Sequence, residues 1–113
     1  MAAQNNANMN NVSNHNYYVY ITTNKIKTVL YIGVTNNLKR RLKEHERNAT
    51  SRDIKSSFTG RYNVHFLLYL ERFQWIQHAI AREKELKGWR RSKKEALIAT
   101  VNPDWEFSND TIE

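Results

Sequence analysis

The 113-residue sequence contains no cysteine, one proline and three glycines, and these shortages exclude several classes of protein. Without cysteine there is no disulfide framework, thiolate nucleophile, iron–sulfur cluster or cysteine-ligated zinc site, and nothing indicates an oxidising compartment. The glycines, Gly33, Gly60 and Gly88, lie too far apart for a phosphate-binding loop or a dinucleotide fingerprint. The four histidines lack zinc-site spacing, and the motifs of serine hydrolases and zincins are missing. The predicted location is the cytoplasm.

Long hydrophobic runs are also missing. No apolar stretch approaches the roughly 18 residues that identify a membrane span, and the N-terminus lacks the charged and apolar segments of an export signal. We therefore expect no membrane association. With 40% hydrophobic and 12% aromatic residues, a chain of this length can bury one modest core without metal or disulfide crosslinks. The sequence predicts a single domain.

Charge of both signs is present but unevenly placed. Every Lys and Arg lies between Lys25 and Lys94, whereas four of the 11 acidic residues follow Val101. The formal net charge of +7 is thus concentrated in a basic centre with interleaved Tyr, Trp and Phe. This pattern is typical of nucleic-acid binding, although a membrane surface or an acidic protein would also be attracted.

Three segments follow from composition. Residues 1–16 contain seven Asn and no charge, which predicts a disordered leader. Residues 17–105 carry the periodic patterns of a folded domain, and residues 106–113 form an acidic tail. We expect the fold to reside in the central segment.

The central segment predicts the order ββαβαα. The runs YYVYIT and TVLYIGV form a β-hairpin, and Thr35 or Asn36 caps a helix that ends near Arg47. A third strand spans 64–73, and a second helix spans 74–87, with Gly88 at its C-terminal cap. A capping box of Ser92 and Glu95 opens a last helix that ends near residue 100. The predicted fold class is α+β, a small antiparallel or mixed sheet with helices packed against it.

Polar residues occur where these patterns predict buried positions. Strand alternation places Val19 and Ile21 on one face of the hairpin and Tyr20 on the other. On the first helix, Arg41 and His45 share the stripe of the apolar leucines. A snorkelling arginine and a core histidine bonded to a backbone carbonyl would explain them without any activity.

The second helix shows a similar anomaly. Ile76, Ala79, Ile80 and Leu86 define its apolar stripe, and Glu83 projects from the middle of it. An unpaired buried carboxylate costs several kcal/mol, so Glu83 requires a cation, a metal ion or water in a cleft. An ion pair with Lys87 four residues later is the alternative explanation.

Together, Tyr20, Tyr31, Arg41, His45 and Glu83 form a plausible phosphodiester-cleaving site. Phosphoryl transfer needs a cation on the developing phosphorane charge, a carboxylate that anchors a metal, and a group that orients or deprotonates water. Each role has a candidate here. The tyrosines alone are weak indicators, because tyrosines in strands usually serve packing.

The same residues resemble a known family. Tyr18-Val19-Tyr20, Tyr31-Ile32-Gly33, the run GVTNNLKRRLKEH and the later REKELKGW resemble the small single-domain members of the GIY-YIG nuclease superfamily. The resemblance covers about residues 17–105. It implies a three-stranded antiparallel sheet flanked by helices and metal-dependent hydrolysis of nucleic-acid phosphodiesters.

The resemblance also implies roles for the five residues. Glu83 would bind one Mg²⁺ or Mn²⁺, Arg41 would contact the scissile phosphate, and Tyr31 would hold the nucleophilic water. Tyr20 and His45 would assist in proton transfer or orientation, and the base could be Tyr31 or His45. Gly33 would end its strand where a side chain would crowd the site, although an ordinary bulge or turn glycine would look the same.

Two positions depart from the family pattern. Tyr18 stands where the motif has glycine, which affects local packing more than chemistry. The family often places an Asn near the site after the last helix, and here Asn102, in the run NPDW, is an uncertain equivalent. No role is assigned to it.

Two basic groups are candidates for nucleic-acid binding, although a solvated surface would look the same. One is on the first helix and the other surrounds Gly88: Lys39, Arg40 and Lys43, then Lys84, Lys87, Trp89, Arg90 and Arg91. Trp89, Tyr62 or Phe58 could stack on bases.

The leading hypothesis is an endonuclease. It would act on single-stranded or branched DNA with low sequence specificity, and RNA is a further candidate substrate. The protein would be a monomer or a weak homodimer. A non-cleaving nucleic-acid-binding module and a protein-interaction domain are the alternatives. Repair, recombination, competence and mobile-element defence stay open as the biological process.

Overall fold

The computed structural model describes residues 16–50 and 63–111, and these form one sheet with helices on both of its faces. The elements are β1 (Tyr17–Thr23), β2 (Leu30–Thr35), α1 (Leu38–Thr50), β3 (Phe66–Phe73), α2 (Ile76–Lys87), α3 (Arg91–Ala99) and a 3₁₀ turn (Asn109–Thr111). The strands are antiparallel in the order β2-β1-β3. The predicted α+β class and ββαβαα order are confirmed. Residues 1–15 of the predicted leader, together with Phe58 and Tyr62, lie outside the described residues.

A hydrogen-bonded turn closes the hairpin and sets its register. Asn24 Oδ1 accepts hydrogen bonds from the backbone N–H groups of Thr28 and Val29, at 2.8 and 3.0 Å. Lys27 within this turn has a φ of 63°, in the left-handed region. The resulting register pairs Tyr20 with Gly33 across the two strands.

The two faces of the sheet carry different side chains, as the alternation predicted. One face holds the larger aliphatic core beneath α2 and α3, built from Val19, Ile21, Ile32, Leu68, Tyr69, Ala79, Leu86 and Ile98. The other face packs against α1 through Tyr20, Leu38, Leu42 and Leu67. Tyr31 of β2 pairs with Thr22 of β1, which points to the same side of the sheet as Tyr20 two residues earlier, so both tyrosines share the α1 face.

Two predicted helix starts are wrong in detail. Asn37, rather than Thr35 or Asn36, caps α1, because its Oδ1 accepts the Arg40 N–H at 3.0 Å. Thr35 instead accepts the Asn37 N–H and shapes the turn before the helix. The order of three polar residues in succession does not show which side chain reaches the free N–H groups.

The last helix begins without the predicted capping box. Arg90 is its N-cap residue and makes no side-chain cap hydrogen bond. Ser92 therefore lies inside the first turn, and Glu95 pairs with Arg91 at 2.8 Å. Gly88 is the C-cap of α2, as predicted, with a φ of −81° that is right-handed.

The apolar stripe of α2 is narrower than predicted. Ala79 and Leu86 are buried, whereas Ile76 and Ile80 are 41% and 38% exposed. The small Ala79 side chain brings the helix close to the sheet along one line, which leaves both isoleucines at the margin. In the part of the chain that the structure describes, no helix is long and apolar enough to cross a membrane.

The chain after α3 folds back along β3. The Ser108 N–H donates to the Leu67 carbonyl at 2.9 Å, and Asn109 Oδ1 accepts the Leu67 N–H at 2.8 Å. Asn109 Nδ2 also donates to the His65 carbonyl. The Phe107 and Phe66 rings stack with centroids 4.5 Å apart. These contacts hold residues 107–109 against the free edge of the sheet.

Candidate active site

Tyr20 and His45 form a buried hydrogen-bonded pair between β1 and α1. Tyr20 Oη and His45 Nε2 are 2.8 Å apart. Tyr20 is fully buried and His45 is 5% exposed. The helical spacing of Leu38, Leu42 and His45 turns the imidazole toward the sheet, while strand alternation turns the phenol toward the helix. The predicted stripe is confirmed, and its histidine bonds a side chain rather than a backbone carbonyl.

Gly33 makes room for the Tyr20 ring. A Cβ atom at this position would lie 2.5 Å from Tyr20 Cζ and closer still to the hydroxyl oxygen. Glycine is therefore required by space, since no glycine of the described residues has a positive φ. The predicted crowding is confirmed, although Gly33 lies inside β2 rather than at its end.

Tyr31 completes a cluster of three rings. Its centroid lies 5.5 Å from that of His45 in an edge-on arrangement and 6.3 Å from that of Tyr20. Unlike the other two, Tyr31 is only half-buried. The cluster thus has a buried layer, Tyr20 and His45, and an outer residue that reaches solvent.

Arg41 lies at the edge of the same cluster. Its side chain is 34% exposed, and its Nε is 3.2 Å from Glu44 Oε1. This contact brings opposite charges together without hydrogen-bond geometry, so Arg41 Nε has no hydrogen-bond partner among residues 16–50 and 63–111. A partly exposed guanidinium with unused donor capacity is suited to a phosphate.

The environment keeps the buried pair neutral. Burial, the largest cause, and the nearby positive charge of Arg41 together lower the pKa of His45 to about 4, against the opposing effect of Glu44. Burial and the neighbouring Tyr31 raise the pKa of Tyr20, while Arg41 acts in the opposite direction. At neutral pH the imidazole is therefore uncharged and able to accept a proton.

Glu83 lies apart from this ring cluster. It occupies the sheet-facing side of α2 between Ala79 and Leu86, and its side chain is 16% exposed, as its position on the stripe predicted. Its carboxylate pairs with Lys87 Nζ at 2.7 Å, which is the alternative considered from the sequence. Because α2 packs on the face opposite α1, the structure does not place Glu83 within the Tyr20–His45 cluster.

The two predicted basic groups lie on different faces of the sheet. Lys39, Arg40 and Lys43 are exposed on α1, the helix that carries Arg41 and His45. Those around Gly88 belong to the α2 and α3 side, and three of them have intramolecular partners, Lys87 with Glu83 among them. Arg91 bonds Glu95 and the Thr28 carbonyl, and the Trp89 ring has Lys93 above it at 4.2 Å. The structure therefore does not combine the two groups into one surface.

A second polar cluster, not anticipated from the sequence, ties α2 to β3. Arg82 bonds both carboxylate oxygens of Glu71 at 2.9 Å, and the Tyr69 hydroxyl donates to Glu71 at 2.5 Å. Burial opposes ionisation of Glu71, but hydrogen bonds from Arg82 and Tyr69 lower its pKa below the ordinary value. Burial and the bond to Glu71 raise the pKa of Tyr69 to about 12. The charged Glu71, which follows the apolar run of residues 66–70 in β3, was the available signal.

Asn102, the uncertain equivalent of a family asparagine, serves the fold. Its Nδ2 donates to the carbonyls of Leu68 and Glu106, and its Oδ1 accepts the Glu106 N–H. All three contacts hold the chain reversal after α3. The structure thus gives this side chain a structural use.

Comparison with known proteins identifies the class. The family model for the GIY-YIG catalytic domain matches residues 16–96, and the chain belongs to this family of endonucleases. It is 37% identical over 83 residues to a UPF0213 protein of Natronomonas pharaonis, an alignment that covers 74% of this chain and 91% of that protein. The solution NMR structure of a UPF0213 protein from Bacillus halodurans superimposes with a TM-score of 0.50 at 31% identity. It covers 85% of this chain and 94% of that one. Within the family, the chain is similar to these small UPF0213 proteins.

Proposed function

We propose that the protein is a divalent-metal-dependent endonuclease that hydrolyses DNA phosphodiester bonds. The observation that carries the proposal is the neutral, buried Tyr20–His45 pair beside the partly exposed Tyr31 and Arg41, in a chain that matches the GIY-YIG catalytic domain. These residues supply a phosphate-binding cation and a proton acceptor within one cluster.

The exposed and the buried residues of the cluster have different proposed roles. Tyr31 and Arg41 reach solvent and are the residues that contact substrate. Arg41 binds the scissile phosphate and offsets the charge that develops on it. Tyr31 orients the attacking water, and Tyr31 or, through it, His45 takes the proton as the new P–O bond forms and the bond to the leaving oxygen breaks. Tyr20, which is fully buried, is a positioning residue that fixes the imidazole through Nε2.

The proposed metal ion would be held by one carboxylate, Glu83, which pairs with Lys87 on the side of the sheet opposite the ring cluster. Among the described residues there is no group of three or more His, Asp and Glu that would form an all-protein cage. Mg²⁺ commonly uses one or two carboxylates together with waters and substrate phosphates, which a single Glu83 satisfies. Glu83 would hold the ion in place of its contact with Lys87. When bound, Mg²⁺ or Mn²⁺ supplies charge stabilisation for the phosphoryl oxygens.

Single-stranded and branched DNA are the proposed substrates. The described fold offers one basic helix beside the cluster rather than a long groove, so strandedness or structure, not sequence, would be recognised. RNA is a further candidate substrate. The oligomeric state, a monomer or weak homodimer, and the cytoplasmic location stay predictions.

The test is a cleavage assay on end-labelled single-stranded, duplex and branched DNA of equal sequence, plus RNA. Purified protein is incubated with Mg²⁺, Mn²⁺ or EDTA, beside Glu83→Ala. Glu85→Ala, on the exposed side of the same helix, is the matched control. We expect metal-dependent cuts that Glu83→Ala abolishes and Glu85→Ala retains. Tight binding without cuts in any metal would contradict the proposal and identify a non-cleaving nucleic-acid-binding module.

A further inference from the structure

A groove of about 430 Å³ opens between α1 and the segment that follows α3. Its lining combines cations, carboxylates and rings: Lys39, Leu42, Lys43, Glu46, His65, Phe66, Phe107, Asn109 and Asp110. Its volume falls within the range of small-ligand sites in proteins. None of the activity proposed above uses this groove.

Three rings form a ladder along one wall of the groove. The centroids of His65 and Phe66 are 4.1 Å apart, and those of Phe66 and Phe107 are 4.5 Å apart with an interplanar angle of 25°. Phe107 ends the ladder and is 38% exposed. Large exposed aromatic rings are costly in water, whereas a planar base that stacks on one covers it.

Cations line the opposite wall. Lys39 and Lys43 lie one turn apart on α1 and are both exposed. Lys27, from the hairpin turn, lies over the Phe107 ring with Nζ 5.3 Å from its centre, so a base that stacks there would displace this flexible side chain toward the adjoining phosphate. An aromatic platform flanked by mobile ammonium groups is the combination that binds single-stranded nucleic acid without sequence preference.

The groove adjoins the Tyr20–His45 cluster. Leu42 lies between the two, since it lines the groove and also packs beside Tyr20. His65 of the groove wall is near enough to His45 to affect its protonation. The Nδ1 of His65 is buried and has no hydrogen-bond partner in the described part of the chain.

We propose that this groove binds one unpaired base of a single-stranded segment, stacked on Phe107, while Lys39 and Lys43 hold the adjoining phosphates. The inference rests on the proposed function, because it places the base next to the strand that the cluster would cut. A base inside an intact duplex is stacked on both sides and does not reach the ring. The groove therefore selects single-stranded over duplex nucleic acid.

The experiment measures binding without cleavage. Fluorescence anisotropy in EDTA gives the Kd of a labelled single strand and of a blunt duplex of the same sequence. For Phe107→Leu, which keeps an apolar contact with Phe66 but removes the ring, we expect the Kd for the single strand to rise roughly 5- to 100-fold. The Kd for the duplex stays unchanged. Phe107→Tyr retains the platform and wild-type binding.

Two controls separate stacking from folding. Trp75→Leu removes another exposed aromatic ring, at the start of α2, and leaves both Kd values unchanged. Thermal unfolding of Phe107→Leu reports whether the segment after α3 still packs on β3.

The outcomes distinguish this inference from the nuclease proposal. Wild-type affinity of Phe107→Leu for the single strand, or an equal loss for single strand and duplex, overturns the base-binding groove alone. Selective loss without cleavage in any metal supports the groove and overturns the nuclease. Absence of binding to any nucleic acid by the wild-type protein overturns both.

Discussion

Two buried polar clusters, one on each face of the same sheet, differ in how fully their hydrogen bonds are made. On the α2 face, both oxygens of Glu71 bond Arg82, and Tyr69 adds a third hydrogen bond. On the α1 face, His45 Nδ1 and Arg41 Nε are buried without hydrogen-bond partners among the described residues. Native proteins rarely leave such groups unpaired, because each costs about 1 to 3 kcal/mol.

The contrast indicates different uses for the two clusters. The ion pair and hydrogen bonds of the first cluster fix α2 on β3. In the second cluster the Arg41 side chain is 34% exposed, so a phosphate can reach part of its guanidinium. The residual cost on the α1 face is consistent with a site shaped for substrate rather than for stability.

The largest expected effect comes from removing the Arg41 charge. Arg41→Met eliminates the cation that contacts the scissile phosphate and lowers the single-turnover cleavage rate by roughly 10² to 10³. The same change raises the pKa of His45, because the charge of Arg41 lowers it. Quenched-flow cleavage measures the rate, and NMR titration of the imidazole measures the pKa of His45.

Arg40→Met provides the matched control. Arg40 precedes Arg41, is 55% exposed and also contacts Glu44. The Arg40→Met variant should cleave at a rate within about threefold of the wild-type rate at saturating substrate, since screened surface charges contribute little. Equal losses in the two variants would show that α1 acts only through its overall charge.

Substitution of Gly33 tests how closely the α1 face is packed. In Gly33→Ala the new methyl group collides with the Tyr20 ring, which must move away from His45. We expect a loss of about 1 to 3 kcal/mol in the free energy of unfolding, accompanied by a lower cleavage rate. Urea denaturation measures the first quantity.

Gly88→Ala is the counterpart on the other side of the molecule. Its Cβ would meet the Glu85 carbonyl at 3.5 Å, an ordinary contact, and its φ is right-handed. This variant should be neutral or up to about 1 kcal/mol more stable. Similar behaviour of both glycine variants would remove the steric explanation of Gly33.

The pH dependence of stability isolates His45. An unfolded histidine gains a proton below about pH 6.5, whereas folded His45 stays neutral until about pH 4. Lowering the pH through this window therefore favours the unfolded state. Relative to His45→Gln, the wild-type protein should lose on the order of 1 to 3 kcal/mol between pH 6.5 and 4.

His78→Gln is the control for this titration. His78 is exposed on α2, so its replacement controls for the loss of an imidazole that makes no buried contact. If His45→Gln shows the wild-type slope, the imidazole titrates normally and the site is more open than the structure indicates.

The smallest expected effect concerns helix starts. Asn37→Ala removes the α1 cap and costs about 1 kcal/mol, while Ser92→Ala, inside the first turn of α3, changes stability little. Thermal unfolding of the two variants compares them directly. A larger loss of stability for Ser92→Ala would show that the capping box predicted from the sequence forms after all.

Local patterns were sufficient for the fold and for the contents of the α1 stripe. Strand alternation placed Tyr20 opposite Val19 and Ile21, and helical spacing directed His45 inward. Patterns of this kind contain no information about partners far apart in the chain. The Tyr20–His45 bond was therefore not foreseen, although both residues were selected.

Contacts that depend on the whole fold could not be predicted from the sequence for the same reason. Phe107 meets Phe66 only because the chain after α3 returns to β3, and the sequence suggested an acidic tail instead. The exposure of Ile80 depends on how closely Ala79 approaches the sheet. Glu83 shows the remaining limit: its place on the sheet-facing side of α2 was predicted correctly, but a stripe does not specify whether Lys87 or a metal ion neutralises the carboxylate.

The most direct test of the central claim is the single-turnover cleavage rate of His45→Gln beside Arg82→Met, each at a temperature where it is folded. We expect His45→Gln to cleave single-stranded DNA at least about 10²-fold more slowly than the wild-type protein. Arg82→Met should lose stability but keep the wild-type rate. Cleavage by His45→Gln at the wild-type rate would contradict the assignment of the α1 face as the active site.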